Sequence, residues 1–110
     1  MCTVIKTLPY AKQLVFMALF DILEQENSSY KKDSEKDTVF ADIPVYGNIS
    51  SFNIHIRESP PATEMEVSVV KPFKGLSIKG QQRAVDYIAD SVEQMLENEL
   101  ILRYEINGDL

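Results

Sequence analysis

Two turn signals inside one alternating run of residues constrain the fold of this chain more than any other feature. From Thr38 to Val70 apolar and polar residues alternate, and the run is broken at Gly47-Asn48 and again at Ser59-Pro60-Pro61-Ala62. Alternation of period two is typical of strands with one buried face, and Gly-Asn between two such runs is a hairpin signal. The pattern therefore predicts three consecutive antiparallel strands, with residues 49–57 as the middle one.

The two turns also predict the register of these strands. With the first turn as a two-residue loop, Ile43 pairs with Phe52; with the second as a four-residue loop, Arg57 pairs with Glu64. A slip by one residue would mix apolar and polar side chains on each face, so the pattern selects this register. Pro44 lacks an N–H, which predicts that the first strand lies at an edge. The predicted apolar face comprises Val39, Ala41, Ile43, Phe52, Ile54, Ile56, Met65, Val67 and Val69.

A long apolar stripe near the C-terminus predicts the helix that covers this face. Its members recur at helical spacing after Ser77, which is predicted to be the N-cap. The stripe comprises Ala84, Val85, Ile88, Val92, Met95, Leu96 and Leu100. Beyond Glu99 two alternatives remain, because residues 100–106 suit a continued helix but Leu102, Tyr104 and Ile106 also alternate like a strand. The helix is the favoured alternative.

The N-terminal part predicts one strand and one helix. Residues 3–8 are rich in β-branched side chains and stop at Pro9, which is tolerated at the start of a helix. Residues 11–25 suit a helix whose apolar arc is so wide that it must be covered on several sides or line an interface. Residues 27–37 are polar without periodicity and predict an exposed loop.

The order of these elements indicates an α+β fold within a single domain, residues 1–110. A chain of this length supports one modest core. We expect a four-stranded antiparallel sheet, with the first strand beside residues 63–70, packed against two helices of which the C-terminal one is long. The alternative is a ferredoxin-like fold, in which residues 102–106 form the final strand.

The opening and the end of the chain resemble START-like, or polyketide-cyclase-like, domains. The resemblance rests on the strand, proline and helix of Leu8-Pro9-Tyr10-Ala11, Leu14-Val15-Phe16 and Leu19-Phe20-Asp21, and on the long helix from Ser77 onward. In that superfamily an antiparallel sheet grips the C-terminal helix, the helix-grip arrangement. The resemblance implies a cavity for an apolar ligand between sheet and helix.

Charge and cysteine content narrow the possible partners and location. Eleven Lys and Arg against seventeen Asp and Glu give a formal charge of −6, which disfavours nucleic acid and anionic membranes as partners. The single cysteine, Cys2, permits no intrachain disulfide, which fits a reducing compartment. With no signal-peptide pattern and no apolar run longer than Leu14–Phe20, we expect a cytoplasmic protein.

Few residues suggest chemistry, and we expect no catalytic residue, metal site or cofactor. His55, the single histidine, is predicted to lie opposite Glu66 on the polar face of the sheet, where these two residues would make at most a polar contact to a ligand. Asp86, Asp90, Glu93 and Glu97 form an acidic stripe, interpreted as a solvated helix face because nothing completes a coordination shell.

The resulting expectation is a small non-enzymatic domain that binds an apolar small molecule between the sheet and the C-terminal helix. One alternative is a protein-interaction module without a ligand, for example a homodimer formed through the first helix. A cyclase-like enzyme is the weakest alternative. The residues predicted to line the pocket are Phe16, Phe20, Phe52, Ile54, Tyr87 and Ile88.

Overall fold

The computed structural model describes residues 2–108 of the chain, and the side chains of residues 2–98. In this part of the chain the strands form a single antiparallel sheet in the order β1-β5-β4-β3-β2. The elements are β1 Thr3–Leu8, α1 Lys12–Gln25, β2 Ser29–Asp33, β3 Thr38–Val45, β4 Asn48–Ser59, β5 Ala62–Lys71 and α2 Ile78–Gly108.

Both helices pack on the same face of the sheet, here called the inner face. The helix α2 lies over β1 and β5, whereas α1 lies over β4 and β2 and also contacts α2. The inward side chains of the central strand, Phe52, Ile54 and Ile56, are essentially inaccessible to solvent. Each such side chain contributes about 1.5–3 kcal/mol through burial of apolar surface. The prediction of an α+β fold with this face turned toward the helices is therefore confirmed.

The register of β4 with β5 is as predicted, with Arg57 opposite Glu64. The register of β3 with β4 differs by two residues from the prediction, because the turn consists of Tyr46 and Gly47 and places Ser50 opposite Ile43. Both turn residues have positive φ, 51° and 81°. Two-residue turns of this kind favour glycine at their second position, which accounts for the difference. A shift by two leaves every side chain on its predicted face.

The prediction of four strands is wrong, because residues 29–33 of the expected loop form the edge strand β2. Its inward residues, Tyr30 and Lys32, contact aromatic side chains of α1. The Tyr30 ring stacks on Phe20 with ring centroids 5.2 Å apart, and the Lys32 ammonium lies 4.0 Å from the centroid of Phe16. The sequence of β2 shows no apolar alternation, and its contacts with α1 stabilise it as a strand.

Pairing with β2 changes the expected position of the sheet edge. The strand β2 begins at Ser29, opposite Asp42, so β3 has no partner on that side over its last residues. Pro44 lies in that unpaired stretch, where its missing N–H leaves no partner unsatisfied.

The helix α2 begins and continues as the favoured interpretation predicts. The Ser77 hydroxyl accepts a hydrogen bond from the backbone N–H of Gly80 at 3.0 Å, which confirms the N-cap. The 31 residues of the helix extend over about 46 Å. Because residues 102–106 belong to this helix, the ferredoxin-like alternative, with a final strand there, is wrong.

The helix α1 ends in a backbone motif that fixes the residues following it. Asn27 adopts φ of 57°, a left-handed conformation that asparagine tolerates. Its N–H donates to the carbonyl of Glu24 at 3.1 Å, and the N–H of Ser28 donates to the carbonyl of Leu23 at 2.9 Å. This pair of bonds is a Schellman motif, which satisfies the last carbonyls of the helix and holds Glu26 in place.

We expect the contact between β2 and α1 to be measurable as stability. Replacing Tyr30 by alanine removes the ring that covers Phe20 and should lower the free energy of unfolding by about 1–2 kcal/mol. The matched control is Lys31→Ala, on the outer face of the same strand, which should change it by less than about 0.5 kcal/mol. Urea unfolding of both variants tests this, and equal effects would contradict the assigned register.

Candidate binding cleft

A cleft of about 370 Å³ opens between the β3–β4 turn and α2. Its floor consists of the buried side chains of Ile43, Ala84 and Ile88. Its walls carry two exposed aromatic rings, Tyr46 from the turn and Tyr87 from the helix, which are 67% and 56% accessible. The arrangement is a concave apolar surface between the sheet and the C-terminal helix. We call it the hairpin cleft.

The cleft follows from where α1 ends. The helix stops at Gln25, and Glu26, held by the Schellman motif, borders the cleft. The inward side chains of β3 beyond Ala41, Ile43 and Val45, line the cleft. The end of α1 therefore lies at the border of the cleft.

The backbone of Tyr46 adopts a conformation that its side chain disfavours. Its φ of 51° lies in the left-handed region, which costs a residue with a Cβ roughly 1–2 kcal/mol. The other non-glycine residues with positive φ in the described chain are Asn27 and Asp37, types that tolerate it. The strained turn places an aromatic ring on the wall of the cleft, where asparagine or glycine would relax the backbone but supply no ring.

Polar groups are placed unevenly along the cleft. The Tyr87 hydroxyl donates to Glu26 Oε1 at 2.6 Å. This hydrogen bond, together with partial burial, raises the pKa of Tyr87 above its ordinary value near 10. Arg83 lines the cleft one helical turn before Tyr87. Among residues 2–98, no carboxylate forms an ion pair with Arg83, whereas Lys6, Lys12 and Arg57 are all paired.

The structure places two of the six predicted pocket residues, Tyr87 and Ile88, in the cleft. Phe52, Ile54 and Phe16 are buried in the core. Phe20 is half-buried, packed against the core and stacked under Tyr30. Sequence reasoning gave no role to Tyr46 or Arg83, although an aromatic residue directly before a turn glycine was a usable signal.

The two residues predicted to make a polar contact to a ligand, His55 and Glu66, lie on the outer face of the sheet, away from the cleft. The two residues face each other across β4 and β5, as predicted. His55 Nδ1 lies 2.9 Å from the hydroxyl of Thr38, and Glu66 accepts a hydrogen bond from Arg57 at 3.3 Å. Both side chains are thus held in cross-strand contacts, and neither reaches the hairpin cleft.

The acidic stripe of α2 is partly neutralised by a lysine from the sheet. Lys6, on the inner face of β1, contacts Asp90 at 2.8 Å and Glu93 at 3.3 Å. The hydrogen bond to Asp90 is the main cause of a raised pKa for Lys6. Asp86 accepts from Gln82. In the part of the chain with described side chains, no three His, Cys, Asp or Glu residues are placed to hold a metal ion.

Comparison with known proteins gives no indication of function, so the cleft is the main evidence for it. No family model matches this chain, and no match is found among curated proteins. Over residues 2–108, no helix combines the length and apolarity needed to cross a bilayer.

We expect the hydrogen bond between Tyr87 and Glu26 to give a pH-dependent contribution to stability. Because the pKa of Tyr87 is higher in the folded than in the unfolded chain, the contribution is present below pH about 10 and is lost as the pH rises through the folded value. Near neutral pH, Tyr87→Phe should lower the free energy of unfolding by about 0.5–1 kcal/mol. Urea unfolding near neutral pH and above pH about 10 tests this.

A matched control removes a tyrosine hydroxyl from the opposite wall of the cleft. For Tyr46→Phe, whose hydroxyl has no hydrogen-bond partner among the described side chains, we expect little change near neutral pH. A deficit for Tyr87→Phe that persists unchanged at alkaline pH would show that ionisation of the hydroxyl is not linked to folding.

Proposed function

We propose that this chain is a non-enzymatic domain that binds an apolar small molecule in the hairpin cleft. The observation that carries the proposal is the cleft itself, with a buried aliphatic floor and two exposed aromatic walls. Its volume of about 370 Å³ falls within the range of small-molecule sites in proteins. Exposed tyrosine rings that face a concave apolar surface gain free energy when a ligand removes them from water.

The order of elements supports a relationship to START-like domains, which is part of this proposal. A strand, a helix, an antiparallel meander and a long C-terminal helix follow one another, and both helices lie on the inner face. The apolar ligand that the resemblance implies would lie between the sheet and the long helix. The hairpin cleft occupies that layer and opens at its side.

The alternative functions receive less support from the geometry. An interface through α1 was suggested by its wide apolar arc, but α2, the sheet and β2 cover most of that arc. Of the large apolar side chains of α1, Met17 is the one more than half exposed, at 54%. A cyclase-like enzyme would need His55 or a carboxylate at the ligand. His55 lies on the opposite face of the sheet, and the carboxylate at the cleft, Glu26, accepts a hydrogen bond from the Tyr87 hydroxyl.

Filling the cleft tests the proposal. The wild-type chain should bind a neutral apolar probe, N-phenylnaphthylamine, with a rise in fluorescence that decanol reverses by displacement. In Ala84→Met the larger side chain projects from the floor into the cleft and should weaken probe binding by about tenfold, equivalent to about 1.4 kcal/mol. Fluorescence titration measures both affinities.

The matched control places the same side chain elsewhere on α2. Gln82 is exposed and does not line the hairpin cleft, so Gln82→Met should bind the probe with wild-type affinity. Urea unfolding of both variants verifies that each is folded. No binding by the wild type, or equal weakening by both variants, would overturn the proposal.

A second variant separates binding from stability. Asparagine adopts a left-handed backbone readily, so Tyr46→Asn should raise the free energy of unfolding by about 0.5–1 kcal/mol. The same change removes one aromatic wall and should weaken probe binding several-fold, on the order of 1 kcal/mol. Opposite changes in the two measurements are expected, whereas a variant that is stabilised and binds normally would exclude Tyr46 from the site.

A further inference from the structure

A second concavity adjoins the hairpin cleft at its Arg83 end. It has a volume of about 320 Å³ and lies beside the first turn of α2. Tyr46 and Arg83 line both spaces, so the two are neighbours along the helix and meet at these side chains. We call the second space the basic cleft, because Lys79 also lines it and no acidic residue does among those described.

The two cations of the basic cleft are placed at an electrostatic cost. Lys79 and Arg83 are four residues apart on α2, and like charges at this spacing destabilise a helix. Among residues 2–98, no carboxylate pairs with either of them within 4.0 Å. In a chain of net charge −6, two neighbouring cations that form no ion pair make a local patch of positive charge.

The opposite end of the hairpin cleft carries a negative charge. Glu26 borders it there, with its carboxylate hydrogen-bonded to Tyr87. The hairpin cleft therefore runs from a carboxylate, across aliphatic and aromatic side chains, to the guanidinium of Arg83. An anion is repelled at the first end and attracted at the second, so the charges determine the direction in which an amphipathic ligand lies.

Resting on the function proposed above, we infer that the ligand is a single-chain amphipathic carboxylate. Its hydrocarbon tail fills the hairpin cleft, and its carboxylate lies over Arg83 and Lys79 in the basic cleft. A guanidinium binds a carboxylate through two parallel hydrogen bonds, which matches the planar head group. The tail supplies apolar burial, and the head supplies direction and selectivity.

Comparing an acid with its alcohol tests the inference on the full chain. Decanoate and decanol share the same tail, so displacement of N-phenylnaphthylamine reports the contribution of the head group. We expect the wild type to bind decanoate about tenfold more tightly than decanol at low salt, a difference of about 1.4 kcal/mol, because only the acid can form the charge-assisted bonds to the guanidinium. Added salt should reduce this ratio by screening the charges.

Removing the cation should erase the preference. In Arg83→Gln we expect decanoate to bind about tenfold more weakly while decanol stays within about twofold. The matched control, Lys31→Gln, removes one positive charge from the outer face of β2 and should leave the ratio unchanged.

The outcomes separate this inference from the proposed function. If the wild type binds decanol as tightly as decanoate, or if Arg83→Gln weakens both equally, the anionic head is excluded and the apolar site stands. If neither compound displaces the probe from a folded wild-type chain, the hairpin cleft is not the ligand site and both proposals fall together.

Discussion

The alternation of the central strand β4 is the constraint on which the rest of the structure depends. Phe52, Ile54 and Ile56 all point toward the helices. Phe52 and Ile54 have apolar neighbours on both adjacent strands, and Ile56 has Met65 on β5. Because side chains alternate strictly along a strand, this one choice of face decides where both helices lie and which residues remain on the outer face. His55 and Arg57 consequently lie outside the layer between the sheet and the helices, so the single histidine does not reach the cleft.

Much of the fold was predictable because it is encoded in local periodicity. The alternation of β4 and β5 specified their register, and Ser77 before an apolar stripe specified the start of α2. The strand β2 was not predictable, because Tyr30 and Lys32 are held by ring contacts with α1 rather than by alternation. The position of the first turn was not predictable, because Gly47 could be its first or its second residue. Moving the turn by one residue shifts the register by two and leaves every side chain on the same face, so periodicity does not distinguish the two positions.

The site was less predictable than the fold, for a related reason. Phe52 and Ile54 are apolar residues of the kind that line ligand pockets. Core and pocket side chains have the same residue types and the same alternation along a strand, so only the packing distinguishes them. Tyr87 and Ile88 border the cleft because α1 ends before it covers the end of β3. The Schellman motif at Asn27 ends α1. A local backbone signal therefore determines a tertiary feature. The cleft thus arises from where one helix stops.

The left-handed backbone of Tyr46 has a consequence for the mutational history of such a chain. Selection for thermal stability alone would favour glycine or asparagine at this position, because either residue relaxes the turn without disturbing the core. Variants selected only for thermal stability are therefore expected to lose the aromatic residue at this position. If tyrosine is retained there despite its cost in stability, this would indicate selection for binding a ligand.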